Sequence, residues 1–222
     1  MSETTTNGIF RRTARSRVRR RAGRAAYDHA TVEAILDEGF AAHVGFVVDG
    51  QPYVIPMLYA RSGQELYLHG SPISRLISSL RSGVPVCVTV TLLDGLVLAR
   101  SAFHHSLNYR SVVVFGHAYP LIDEARKRAA LDALVEHVVH GRTRDARGPS
   151  AAELEATEVL VLPLFEASAK IRTGPPQDGP EDRNLPVWAG EIPLRLTPLA
   201  PVPACDLPLP DYLREYVDEL AA

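Results

Sequence analysis

The stretch from Ala42 to Gly116 constrains the fold more than any other part of the chain. Short apolar runs are cut by tight-turn signals, the pattern of antiparallel strands rather than of βαβ units. His43 to Val48 reads as one strand, and Asp49-Gly50 turns it back. Pro52 to Ala60 is the second, and Arg61-Ser62-Gly63-Gln64 turns again into Glu65 to His69. Ile73, Leu76, Ile77 and Leu80 have helical spacing, so a short helix is expected from Ile73 to Leu80, ended by Gly83. Val84 to Leu92 is β-branched and apolar and reads as a buried strand. Asp94-Gly95 reads as a second tight turn, Leu96 to Ala102 as the return, and Ser111 to Tyr119 as another strand.

The flanks add helices. Asp28 suits the N-cap of a helix running through Glu38, with Gly39 as its stop. Asp123 to Val139 is the longest helical pattern, Gly141 to Ser150 is a polar loop, and Ser150 can cap a helix with Glu153 in its first turn. Val159 to Phe165 is the last clear strand. Ten of the 17 prolines lie between Pro175 and Pro210, so this tail is extended or turned, with an amphipathic helix from Tyr212 to Leu220. Six or seven strands with two or three helices imply a mainly β, antiparallel barrel with peripheral helices. The absence of a Gly-x-Gly-x-x-Gly motif and of regular strand–helix alternation disfavours a Rossmann sheet. The expected organisation is a flexible Arg-rich arm over 1–26, a barrel domain over 27–175, and a Pro-rich extension over 176–222 that packs on the barrel or on a partner subunit.

With 46% hydrophobic residues, a packed core is accessible, and a net charge of -2 makes no global case for nucleic acid or a membrane. Charge is nevertheless uneven: Arg11, Arg12, Arg15, Arg17, Arg19, Arg20, Arg21 and Arg24 occur with no acid among them. A solvated arm, a phosphate or nucleic-acid contact and a subunit clasp all remain open for this cluster. Cys87 and Cys205 are too few and too isolated for a disulfide scaffold or a zinc site. No signal-peptide core follows the arginines and no apolar run reaches ~18 residues, so a soluble cytoplasmic protein is expected.

Two polar segments carry the chemistry. Leu68-His69-Gly70-Ser71-Pro72-Ile73-Ser74-Arg75 brings an imidazole, hydroxyls and a guanidinium to a strand-to-helix turn, and Asn108-Tyr109-Arg110-Ser111 does similarly before a later strand. Arginine forks and helix starts suit phosphate, so a phosphate-bearing cofactor is the sharp reading; surface arginines and a capping Ser74 are the plain one. His69 is either a structural hydrogen-bonder or a cofactor-facing proton donor. In a strand, His104 and His105 would face opposite ways and could not easily share a metal, so no metal site is expected. Lys170 and Arg172 form either a solvated strand end or the wall of a substrate pocket; Trp188 either stacks on a ligand or anchors the tail.

The ordered set Val54-Ile55-Pro56-Met57, then Tyr67 to Arg75, then Asn108 to Gly116 resembles the pyridoxamine 5'-phosphate oxidase-like superfamily. Within it, the chain is most similar to the nitroimidazole-resistance type of flavin-nucleotide-binding proteins. That resemblance implies an FMN-binding split barrel and a homodimer with flavin at the subunit interface. It implies an FMN-dependent oxidoreductase acting on a small organic substrate, nitro compounds included. It places Ile55, Pro56 and Met57 along the flavin ring and His69 beside it as the catalytic residue. Ser74 and Arg75, and Arg110 and Ser111, match its phosphate-gripping pairs, and Ser71 and Tyr109 complete the candidate cofactor set. The family's C-terminal substrate motif has no clear match here, so Lys170, Arg172 and Trp188 are substrate-facing candidates on their residue types alone. Leu76 stands where the oxidases carry a lysine. A non-catalytic flavin module, and the same fold using F420 or haem, are the alternatives; for haem, His69, His104 and His105 are the candidate axial ligands.

Overall fold

A computed structural model describes residues 8–221 as a mainly antiparallel β protein with five α-helices. Residues 1–7 of the expected arm lie outside the described residues. The chain divides into two compact units, and strand β3 passes from one into the other.

The first unit comprises Met1–Pro56, Pro85–Gly116 and Leu164–Arg195. Its strands are β1 (Ala25–Ala26), β2 (Ala41–Val48), the start of β3 (Gln51–Ser62), β5 (Pro85–Leu98), β6 (Ser106–His117), β9 (Glu166–Arg172) and β10 (Gly190–Pro193). Their order includes the run β1-β9-β6-β5-β2, with β10 on β5. Helix α1 (His29–Glu38) starts where Asp28 accepts a hydrogen bond from the Thr31 N–H at 2.8 Å. It buries Val32, Ile35 and Leu36 and packs on β5 and β9. Val44, Phe46, Val86, Val88, Val90, Val112, Val114, Ala167 and Ala169 complete this core. Burial of one such aliphatic side chain contributes about 1.5–3 kcal/mol.

The second unit comprises Met57–Val84, His117–Pro163 and Leu196–Ala222. It holds the end of β3, β4 (Glu65–Gly70), β7 (Tyr119–Pro120) and β8 (Glu158–Pro163), hydrogen-bonded in the order β3-β4-β8-β7. Its helices are α2 (Arg75–Arg81), α3 (Glu124–Val138), α4 (Ala151–Ala156) and α5 (Asp211–Ala221). The caps expected at Asp123 and Ser150 are present, Ser150 forming a full capping box with Glu153. Tyr59, Leu66, Leu68, Ile77, Leu80, Leu160 and Leu162 are fully buried here.

Four local expectations change. Asp94-Gly95 is not a hairpin turn: β5 continues for 14 residues, and Gly95 pairs with Pro193 of β10. A Cβ on Gly95 would meet the Ile192 carbonyl oxygen at 3.1 Å, so glycine serves a close strand approach rather than a turn. His104 and His105 lie in and just after a single 3-10 turn (Ala102–His104) rather than in a strand. Strand β9 extends through Ala167-Ser168-Ala169, residues of low β propensity, because β6 pairs with it from Tyr109↔Arg172 to Phe115↔Glu166. The Arg-rich segment is tied down from Gly8 onward: Phe10 is 1% exposed and its N–H donates to the Tyr27 carbonyl at 2.7 Å. Among the described residues no helix is long and apolar enough to cross a membrane.

Candidate functional site

In the second unit, β4 delivers His69 and then gives way to α2. Gly70 permits this exit: a Cβ there would meet the Ile77 side chain at 3.0 Å. The turn is held by the Ser74 N–H donating to the Ser71 carbonyl at 3.0 Å, and the Ser74 hydroxyl caps α2 by accepting from the Ile77 N–H at 3.3 Å. Arg75 is the first helical residue and is exposed, Ser71 is exposed, and Met57 of this unit is half-buried.

His69 lines a cavity of about 510 Å³. Leu58, Leu131, Leu134, Val135 and Val138 supply its apolar wall, and Asp132, Thr143, Arg147 and Glu153 supply polar groups. The Nδ1 atom of His69 is buried and has no hydrogen-bond partner among the described residues. Burial lowers the imidazole pKa from its ordinary value, which keeps the ring neutral. The loop side of the cavity is fixed by Glu136, whose carboxylate accepts the Gly141 N–H at 2.6 Å, the Thr143 N–H at 2.9 Å and the Thr143 hydroxyl. The Thr143 hydroxyl and these N–H groups hold the Glu136 pKa down to about 2. Asp132, Glu136 and the 143–149 loop were not singled out by sequence. Their only signal was the polar break between α3 and α4.

The other expected residues lie in the first unit. Ile55 is half-buried and Pro56 exposed on β3. Tyr109, Arg110 and Ser111 stand on β6, where Ser111 donates to the Lys170 carbonyl at 3.3 Å. Arg110 is engaged by two carboxylates: Nη2 donates to Asp94 at 2.8 Å and to Glu38 at 2.7 Å, and Nη1 also reaches Glu38. Their hydrogen bonds and charges raise its pKa further above the usual arginine range. Arg172 is 5% exposed and spends its donors on Asn108 and on the carbonyls of Gly174 (2.9 Å) and Pro175 (3.2 Å). Lys170 pairs with Ala25 of β1, and Trp188 is 65% exposed beside β10. His104 and His105 both turn back on Ser101: His104 Nδ1 lies 2.9 Å from its hydroxyl, and His105 Nδ1 lies 3.0 Å from its carbonyl oxygen.

A family model described as pyridoxamine 5'-phosphate oxidase matches residues 28–171. The structure of the flavocytochrome Anf3 from Azotobacter vinelandii is 42% identical, covers 91% of this chain and 96% of its own, and superposes with a TM-score of 0.85. The FAD and heme binding protein from Mycobacterium smegmatis is 37% identical over 87% of this chain and 97% of its own, with a TM-score of 0.83. A candidate 5-nitroimidazole antibiotic resistance protein from Bacteroides thetaiotaomicron is 28% identical over 66% of this chain and 86% of its own, with a TM-score of 0.56. No curated protein matches the chain. The matched span covers most of the chain and contains the β4–α2 turn, β6 and most of β9, so this protein belongs to the pyridoxamine 5'-phosphate oxidase family and has its split-barrel fold.

Proposed function

We propose that this chain is a redox protein that binds a flavin and a haem, with FAD rather than FMN as the flavin. The observation that carries the reading is the pair of relatives, a flavocytochrome and an FAD- and haem-binding protein, each alike over nearly the whole chain. Both similarities cover more of the chain than the 28–171 span of the family model.

The residues present fit a haem. A histidine that ligates iron must offer a neutral imidazole, and burial at the edge of an aliphatic cavity lowers the His69 pKa and favours that form. Its buried, unpartnered nitrogen is an orphaned polar atom of the kind a bound group satisfies. His105 is the second candidate: the Ser101 carbonyl accepts from Nδ1–H and leaves Nε2 with its lone pair, the usual arrangement of a ligating histidine. Flavin and haem, when bound, supply two-electron and one-electron transfer. Leu58, Leu131, Leu134, Val135 and Val138 give the His69 cavity an apolar wall. As a ligand, His69 cannot simultaneously be the proton donor that the sequence suggested.

Within the second unit, the Ser74-Arg75 helix start, with Ser71 adjacent, is the candidate for the flavin phosphates and Met57 for the ring. Arg110 is a weaker candidate than its sequence position implied, because a phosphate would have to displace Asp94 and Glu38. A homodimer with flavin between the subunits and a cytoplasmic location are retained as parts of the proposal. A small organic substrate, nitro compounds included, is favoured only by the nitroimidazole-resistance relative.

The test is the visible spectrum of the purified full chain, with extraction of whatever is bound. A Soret band together with a flavin band, and FAD released on denaturation, support the reading. A colourless protein that takes up neither added FAD nor added haem overturns it.

A further inference from the structure

Neither the core nor the cofactor reading uses the arginine cluster near the N-terminus, and the structure treats it unusually. Its backbone is pinned within the first unit. Arg17 N–H donates to the Thr13 carbonyl at 3.1 Å, Val18 N–H donates to the Tyr27 hydroxyl at 2.9 Å, and buried Ser16 accepts from Thr13 N–H at 2.9 Å. Arg15 closes on Glu166 at 2.7 Å, and Arg12 lies over the Tyr27 ring at 4.4 Å. The chain then turns through Arg21 at φ 57, a left-handed conformation that arginine adopts at a cost. Arg24 N–H closes that turn on the Arg21 carbonyl at 2.9 Å.

Arg17, Arg19, Arg20 and Arg21 are all exposed, and among the described residues none of the four makes an ion pair with a carboxylate. Four like charges within five residues repel one another, so a fixed backbone that displays them gains nothing in stability from doing so. The whole chain is nonetheless at -2, so without the +4 of these arginines the rest stands at -6. Segregation of charge on that scale steers and orients an oppositely charged partner.

We propose that Arg17, Arg19, Arg20 and Arg21 form the docking surface for a small acidic electron-carrier protein. The proposal rests on the redox reading above, which requires a partner that supplies or accepts electrons. Charge complementarity and extent select this partner over nucleic acid. The patch is short and the chain as a whole carries a net charge of -2, without the overall positive charge that binding to a long polyanion favours. The segment from Arg17 to Arg24 also lacks an aromatic or amide side chain with which to stack on or read bases.

The experiment measures binding of the full-length protein to a plant-type [2Fe–2S] ferredoxin, at low and at moderate salt. Parallel titrations use a short DNA duplex and vesicles containing anionic lipid. The wild type is expected to bind the ferredoxin at low salt and to weaken about tenfold or more when salt is raised beyond the screening range. The variant carrying Arg17→Ser, Arg19→Ser, Arg20→Ser and Arg21→Ser is expected to lose about tenfold or more in affinity at low salt. Its visible spectrum and melting temperature should stay unchanged. Wild-type protein that ignores the ferredoxin, a variant that binds it equally well, or tighter binding to the duplex or the vesicles would overturn the proposal. Failed binding by a protein that carries flavin and haem sinks the docking surface alone. A protein without either cofactor sinks the redox reading, and this proposal with it, on the spectrum.

Discussion

Arg110 on β6 reaches the Asp94 carboxylate on β5 through Nη2 at 2.8 Å and Nε at 3.1 Å. Glu38, the last residue of α1, takes the remaining side of the same guanidinium. One cation therefore ties a helix end to two strands of the first unit.

Removal of that cation leaves two carboxylates facing each other. Arg110→Gln is expected to lower unfolding free energy by about 2 kcal/mol, the scale of hydrogen bonds to charged groups. Asp94→Asn added to it should recover part of the loss, because the repulsion goes with the charge. Urea unfolding of the two single variants and the double variant measures this coupling; strict additivity would show that the contact carries no energy.

The approach of β10 to β5 depends on a missing side chain. Gly95→Val would drive heavy atoms into the Ile192 carbonyl, already 3.1 Å from an ideal Cβ. A cost of about 1–3 kcal/mol is expected, as for overpacking elsewhere. The amides of residues 190–193 should lose hydrogen-exchange protection while those of β6 and β9 keep theirs. Unchanged protection at β10 would contradict the pairing.

Glu136 gives a pH-dependent prediction. Its native pKa, down to about 2, lies below the ordinary value of 4.5, so its stabilisation is complete above about 4.5 and is lost as pH falls toward 2. Glu136→Gln should cost about 1–2 kcal/mol at neutral pH, reduced from the full charged-bond value by its partial exposure. It should also flatten the loss of stability across that acid window. Unfolding curves at several pH values provide the check; identical acid sensitivity in both proteins would contradict it.

The sequence was legible where a local signal and the tertiary fold agree. Asp28, Ser74, Asp123 and Ser150 cap helices as their residue types imply, and the first hairpin turns at Asp49-Gly50, where Asp49 has φ 50. The β4–α2 turn was readable for the same reason. It failed where a distant strand decides the outcome. Asp94-Gly95 looks like a turn, but Ile192 and Pro193 hold it extended. Ala167-Ser168-Ala169 looks indifferent, but β6 makes it a strand. The candidate site was half legible for a related reason. His69 and Ser74 announce themselves through a turn motif, while the cavity beside His69 is built by Leu131, Leu134, Val135 and Val138, which read only as the apolar face of a helix. The carboxylates that occupy Arg110 come from 16 and 72 residues away, a distance no motif spans.

The most direct test of the redox reading is the absorption spectrum of the full chain with His69→Ala beside the wild type, at equal protein concentration. The wild type is expected to show both Soret and flavin bands, and the variant to lose or shift the Soret band while the flavin band persists. A wild type with no haem after reconstitution, or a variant whose Soret band is unchanged in position and intensity, would contradict the assignment of His69 to the iron.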